Sequence, residues 1–147
     1  MQEARESAEQ QALCREFVFT GDSGSIAPAR DAIVEFVHPY CTDEQQEIDI
    51  LIALQEGLAN AILHGCRDDA GKLVHCAVEI TPAAIDVVIQ DPGDGFDTVS
   101  AADEAEDGSN LTQHGRGIYL MRNLMDEVSY RCNGSELHMR KLRTPVS

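Results

Sequence analysis

The run AIDVVIQD, Ala84 to Asp91, limits the possible folds more than any other stretch of this chain. Ile85, Val87 and Ile89 share one parity, so in a strand they share one face. The preceding run KLVHCAVEIT, Lys72 to Thr81, reads as a second strand, joined to the first through Pro82 as a hairpin. A face that apolar must be covered by another layer. Asp91 continues the parity of the three apolar residues; if that face is the buried one, its carboxylate points inward at the strand's end. There it would accept hydrogen bonds from a ligand amine. The loop that follows, DPGDGFD, has glycines at 93 and 95 that let backbone approach a ligand closely. Taken alone, those letters also spell an ordinary turn.

Helical stripes supply the cover. Ile26 to Tyr40 repeats apolar residues at helical spacing, with Pro28 suited to a first turn. TDEQ, Thr42 to Gln45, is a capping-box pattern opening a longer helix that carries Ile48, Leu51, Ile52, Leu58, Ile62 and Leu63. Gly65 stands where a C-terminal stop belongs. Gly115 to Tyr130 is amphipathic and reads as one helix, while Glu16–Gly21 and Ser135–Arg143 read as short strands. Residues 98–113 are small, acidic and aperiodic, the signature of a long loop and often of a mobile lid. With 147 residues, one core is expected. The division is a polar lead-in over 1–14 and one domain over 15–147. The order of elements lacks a regular βαβ rhythm, so the expected class is α+β, a mostly antiparallel sheet with helices on one face.

Within the long helix stand Glu56 and Asn60, four residues apart, with His64 four further on. Positions i and i+4 are nearly in line on a helix. The three form a ridge beside the apolar stripe, and a carboxylate there should face a polar cavity rather than the core. By themselves they read more readily as the solvated side of the helix. HGRGIYLM places Gly115 and Gly117 on either side of Arg116 ahead of an amphipathic stretch. Free backbone N–H groups at such a start, with the positive end of the helix dipole, suit a phosphate; a plain glycine-containing helix start is the other reading. Together the three segments suggest a nucleotide site: a carboxamide on a divalent cation, an inward aspartate on a base amine, and a helix start on phosphates. Mg²⁺ suits such a set, being held by few protein oxygens plus phosphates and water.

The formal charge of −15 opposes direct binding to nucleic acid and would favour a basic protein partner, although solubility alone explains it equally well. Five cysteines, odd in number and without a CxxC, point to a reducing compartment. His64, Cys66, His75 and Cys76 match no zinc spacing, and adjacent His75 and Cys76 face opposite ways on a strand. No apolar run approaches the roughly 20 residues of a membrane span. The polar N-terminus reads as neither signal nor transit peptide. The expectation is a cytoplasmic protein without a membrane role.

EGLANAILHG, DPGDGFD and GRGIYLMRNLMDEV, in that order, resemble the N, G1 and G2 boxes of the GHKL ATP-binding superfamily. The likeness covers roughly Phe17 to Leu142. It is nearest to the stand-alone bacterial serine/threonine kinases that act as anti-sigma factors, the histidine-kinase-like ATPase domains. The resemblance implies a Bergerat-type two-layer α/β sandwich with a mixed sheet, and ATP bound with Mg²⁺. By position, Asn60 would coordinate Mg²⁺, Asp91 would bind the adenine amino group, and Gly93 and Gly95 would shape the base pocket. Gly115, Arg116 and Gly117 would line the phosphates beneath a lid at 98–113. Glu56 would be the general base, and His64 would have a structural or lid-packing role. Sensor histidine kinases commonly have asparagine where this chain has Glu56. The partners implied are an anti-sigma-antagonist protein, a sigma factor and a second copy of the chain as a homodimer. A nucleotide-binding regulatory module without turnover, and an interaction domain without nucleotide, remain as alternatives.

Overall fold

A computed structural model describes residues 12–93 and 113–143. Among these residues, one sheet of five strands carries one layer of three α-helices. Strand β1 is Leu13–Gly21, followed by helix α1, Ile26–Val37, and helix α2, Glu44–Asn60. Strands β2, Asp69–Ile80, and β3, Ala84–Gln90, form the expected hairpin. Helix α3, Gln113–Leu124, leads to β4, Glu127–Arg131, and β5, Glu136–Leu142. The sheet order is β1-β2-β3-β5-β4, and every pairing is antiparallel. β3 and β4 therefore run the same way across a helical connection, but β5 sits between them. That is why the mixed character expected of the sheet produces no parallel pair among the described residues.

Alternation decides which face is covered. Val74, Cys76, Val78 and Ile80 of β2 are buried while Leu73, His75, Ala77 and Glu79 are exposed. Ile85, Val87 and Ile89 are buried on the same side, as their parity required. α2 lies between α1 and α3 in the helical layer, and Ile33, Leu54, Leu58 and Met121 are fully buried. The backbone of α2 comes close to the sheet at Gly57. A Cβ there would stand 2.7 Å from Leu137 Cδ2 and 3.1 Å from Ile89 Cδ1.

Several boundaries differ from the sequence reading. β1 starts at Leu13, so Leu13 and Cys14, read as lead-in, are already strand. The cap of α2 is Asp43 rather than Thr42: its Oδ1 accepts from the Gln46 N–H at 2.8 Å, and Gln46 Oε1 accepts from the Thr42 N–H at 3.0 Å. The segment after Leu124 is not helix. EVSYR alternates, and the Asp126 N–H already donates to Arg140 O at 2.9 Å, starting the ladder that pairs β4 with β5. The amphipathic period misled because Val128 falls on the helical stripe and on the inward strand parity alike. At the hairpin's turn, Gly134 takes φ 95°, a conformation glycine adopts without a Cβ penalty.

Lys141 fixes α3 to its neighbours. Its Nζ donates to Leu124 O at 2.5 Å and pairs with Asp49 Oδ2 of α2 at 3.0 Å. Both side chains are largely shielded, 16 % and 14 % exposed. Lys141→Ala would leave a shielded carboxylate and a helix-end carbonyl without this partner. It should cost about 1–3 kcal/mol, read as a lower urea midpoint.

Candidate functional site

The site is built where α2 ends. After Asn60 the helix widens into a single π turn, Ala61–Gly65, of the kind often found at functional positions. Arg67 and Asp68 then take φ of 55° and 56° and turn the chain toward β2. Gly65 is not a left-handed stop. Its significance is steric, since a Cβ at Gly65 would fall on the Asp91 carboxyl group.

Asp91 follows β3 directly. Its N–H donates to Ser135 O at 2.9 Å, and its Oδ1 accepts from the Gly93 N–H at 2.8 Å. The side chain is half-buried against the π turn. Burial raises the Asp91 pKa above the ordinary carboxylate value, with the Gly93 N–H pulling the other way. Gly93 is as constrained as Gly65: a Cβ on it would lie 2.7 Å from Gly65 O and 2.9 Å from Asp91 Oδ1. Two facing glycines therefore make room for one carboxylate. Gly65→Ala should displace Asp91 and weaken nucleotide binding at least about tenfold, the equivalent of roughly 1.4 kcal/mol in titration calorimetry. The same change at Gly71, where a Cβ would meet only Asp69 Oδ1 at 3.2 Å, should leave binding unchanged.

Asp91 and Asn60 line one pocket, together with Gly57, His64, Gly65, Ile89, Tyr130 and Leu137. Ile89, Leu137 and Ala61 give it apolar wall, and Asp91, Asn60, His64 and Tyr130 bring polar groups to it. The open volume is ≈ 20 Å³, so a purine fits only once the walls move apart. A wider hollow of ≈ 700 Å³ borders β4 on the side that includes Arg131, His138 and Arg140. There Arg140 is already paired with Asp86 at 2.7 Å, and none of the site residues lines that hollow.

The start of α3 closes the other side. A Cβ on Gly117 would stand 3.0 Å from Glu56 Oε2, 3.5 Å from Asn60 Nδ2 and 3.8 Å from Asn60 Oδ1. Glu56, Asn60 and Gly117 are therefore immediate neighbours. Asn60 is 9 % exposed and donates through Nδ2 to Tyr130 Oη at 3.5 Å. Burial pushes the Tyr130 hydroxyl up to about 12, so it stays neutral at ordinary pH. α3 begins at Gln113, so Gly115, Arg116 and Gly117 lie within its first two turns rather than ahead of it. Arg116 is exposed. Gly95 and residues 98–112 of the expected lid lie outside the described residues.

The structure thus brings Glu56, Asn60, Asp91, Gly93 and Gly117 around one end of the helical layer. His64, exposed, also borders the pocket. Among the described residues no group of three or more His, Cys, Asp or Glu side chains is placed to hold a metal. A cation would therefore depend on the Asn60 carbonyl oxygen and on oxygens brought by a ligand. Two wall residues went unrecognised in the sequence. Gly65 looked like a helix stop, and Tyr130 like the end of a helix. The signal for the first was its place five residues after Asn60 in a chain whose strand ends in an inward aspartate. For Tyr130 it was the two-residue parity of EVSYR.

The family model described as histidine kinase-like ATPase domain matches residues 19–141. Anti-sigma F factor of Clostridium novyi (strain NT) is 28 % identical over 128 residues, covering 84 % of this chain and 90 % of that protein. Serine-protein kinase RsbW of Staphylococcus aureus (strain JH9) is 32 % identical over 101 residues, covering 63 % of this chain and 64 % of the kinase. The solved structure of the RsbU and RsbW domains of Rv1364c from Mycobacterium tuberculosis superposes with a TM-score of 0.62 at 14 % identity. It covers 91 % of this chain and 34 % of that one, a likeness of fold.

Proposed function

We propose that this chain, which belongs to the histidine kinase-like ATPase domain family, is an ATP-dependent serine/threonine protein kinase of the anti-sigma-factor type. The observation that carries the reading is the shared pocket of Asn60 and Asp91, with Glu56 and Gly117 in contact at its rim. Asp91 would accept from the adenine amino group, a contact its half-buried setting strengthens. Ile89 and Leu137 would flank the base. The N-terminal N–H groups of α3, Gly115 among them, and Arg116 would meet the phosphates. Gly93 and Gly95 would let the loop backbone close on the base.

The donor set fits Mg²⁺, because Asn60 offers one largely buried neutral oxygen and phosphates would supply the rest. When bound, the cation neutralises charge developing on the transferred group. Glu56 would take the proton of a seryl or threonyl hydroxyl as its oxygen bonds to the γ-phosphorus. The bond from that phosphorus to the β–γ bridging oxygen breaks, and ADP leaves with the electron pair. The products are a phosphorylated protein and ADP.

The protein substrate in this reading is an anti-sigma-antagonist, and the chain would also sequester a sigma factor, acting as a homodimer in the cytoplasm. The curated relatives' names, anti-sigma factor and serine-protein kinase, support this. So does the charge of −15, which suits a basic partner rather than nucleic acid. No helix among the described residues is long and apolar enough to cross a membrane. The test is incubation of the protein with γ-labelled ATP, Mg²⁺ and the antagonist. Label on a seryl or threonyl group supports the kinase. Nucleotide binding with no transfer to any candidate would leave a regulatory module instead.

A further inference from the structure

We infer that Tyr130 is a positioning residue that orients the carboxamide of Asn60, and that it thereby sets how strongly Mg²⁺ tightens ATP binding. This rests on the reading of the pocket as a Mg-ATP site. An asparagine has two unlike ends, and only its oxygen is a metal ligand. Left to itself, a carboxamide can turn over and present its NH₂ group to the cation. In this chain the hydroxyl of Tyr130 stands 3.5 Å from Nδ2 and accepts from it. That leaves Oδ1 as the end available to a cation.

Two features make Tyr130 suited to this task. It lies on the inward parity of β4, opposite Leu137 of β5, so the sheet rather than a loop sets its position. Its ring shares the pocket wall with Ile89 and Leu137. A partner of this kind behind a ligand commonly tunes metal affinity by about 10- to 100-fold.

The experiment is titration of ATP into the full chain with Mg²⁺ and again with EDTA, for the wild type, Tyr130→Phe, Asn60→Asp and the double variant. Tyr130→Phe keeps the ring and removes the acceptor. It should reduce the tightening produced by Mg²⁺ about tenfold, while affinity in EDTA stays within about twofold. In the Asn60→Asp background the two carboxylate oxygens are equivalent, so Tyr130→Phe should change the Mg²⁺ effect by less than about twofold. A second readout needs no nucleotide: the side-chain NH₂ resonances of Asn60 should shift in Tyr130→Phe. An equal loss in Mg²⁺ and in EDTA would overturn the inference, making Tyr130 part of the base wall only. An unchanged Mg²⁺ effect, or unmoved Asn60 resonances, would overturn it too while leaving the site intact. Failure of the wild type to bind ATP at all would remove the site itself, and the inference with it.

Discussion

Asp91→Asn should weaken ATP binding by about 30- to 100-fold, roughly 2–3 kcal/mol, the range of a charge-assisted hydrogen bond turned partly repulsive. The carboxylate accepts only, whereas asparagine's NH₂ end would face the amino group of adenine or force a rotation. The Gly93 N–H bond to Oδ1 at 2.8 Å survives in the variant through the amide oxygen. The ligand-free protein should not suffer. Burial raises the folded-state pKa of Asp91, so between the unfolded and folded values the native state binds more protons than the unfolded chain. Stability from this group is then present below the unfolded pKa and lost as pH rises through the folded one. Where Asp91 is ionised it is a destabilising group, one that a ligand amine would relieve. Asp91→Asn should therefore melt at or above the wild-type temperature near pH 7. That advantage should vanish as the pH falls below the ordinary carboxylate range. A variant that loses both ATP and its fold would assign Asp91 a structural task instead.

Glu56→Gln separates chemistry from binding. Glu56 Oε2 lies 3.0 Å from the Cβ position of Gly117, on the side of Asn60 facing α3. There a carboxylate would remove a proton from an incoming hydroxyl but would add little to a tetra-anionic nucleotide. Glutamine keeps the size and the helix propensity while removing the base. Phosphoryl transfer should fall about 10²- to 10⁴-fold, the usual share of a general base. ATP affinity should stay within about threefold, or rise slightly as an anion leaves the phosphate side. A quench of single-turnover transfer, run beside calorimetry, reads both. Loss of affinity matching the loss of rate would mean that Glu56 binds rather than catalyses.

Much of the fold was legible because the chain states it in two clean periods. Ile85, Val87, Ile89 and Asp91 kept their parity, and the helical stripes found the face that the strands left bare. The nearness of two candidate site residues was legible for the same reason: Asn60 sits four residues after Glu56 on a helix, and Asp91 directly follows a strand. What the periods hid was context. Val128 satisfies both a helical and a strand pattern, and only the pairing with Met139 makes it strand. Gly65 resembled a cap because a glycine at a helix end usually is one; its need arises from Asp91, 26 positions away (from 65 to 91), a contact no local pattern encodes. The capping pattern slid by one residue because Thr42 and Asp43 are both good caps. The hydrogen bond of Gln46 to Thr42 selected the second.

The central claim is that Asn60 and Asp91 hold opposite ends of one Mg-ATP. A crystal structure of the full chain with Mg²⁺ and a non-hydrolysable ATP analogue tests it most directly. The adenine amino group should lie within hydrogen-bond distance of the Asp91 carboxylate, the cation should be bound to Asn60 Oδ1, and the γ-phosphate should lie beside Gly117. A nucleotide seated elsewhere, or in this pocket with its base away from Asp91 and its cation away from Asn60, would contradict it.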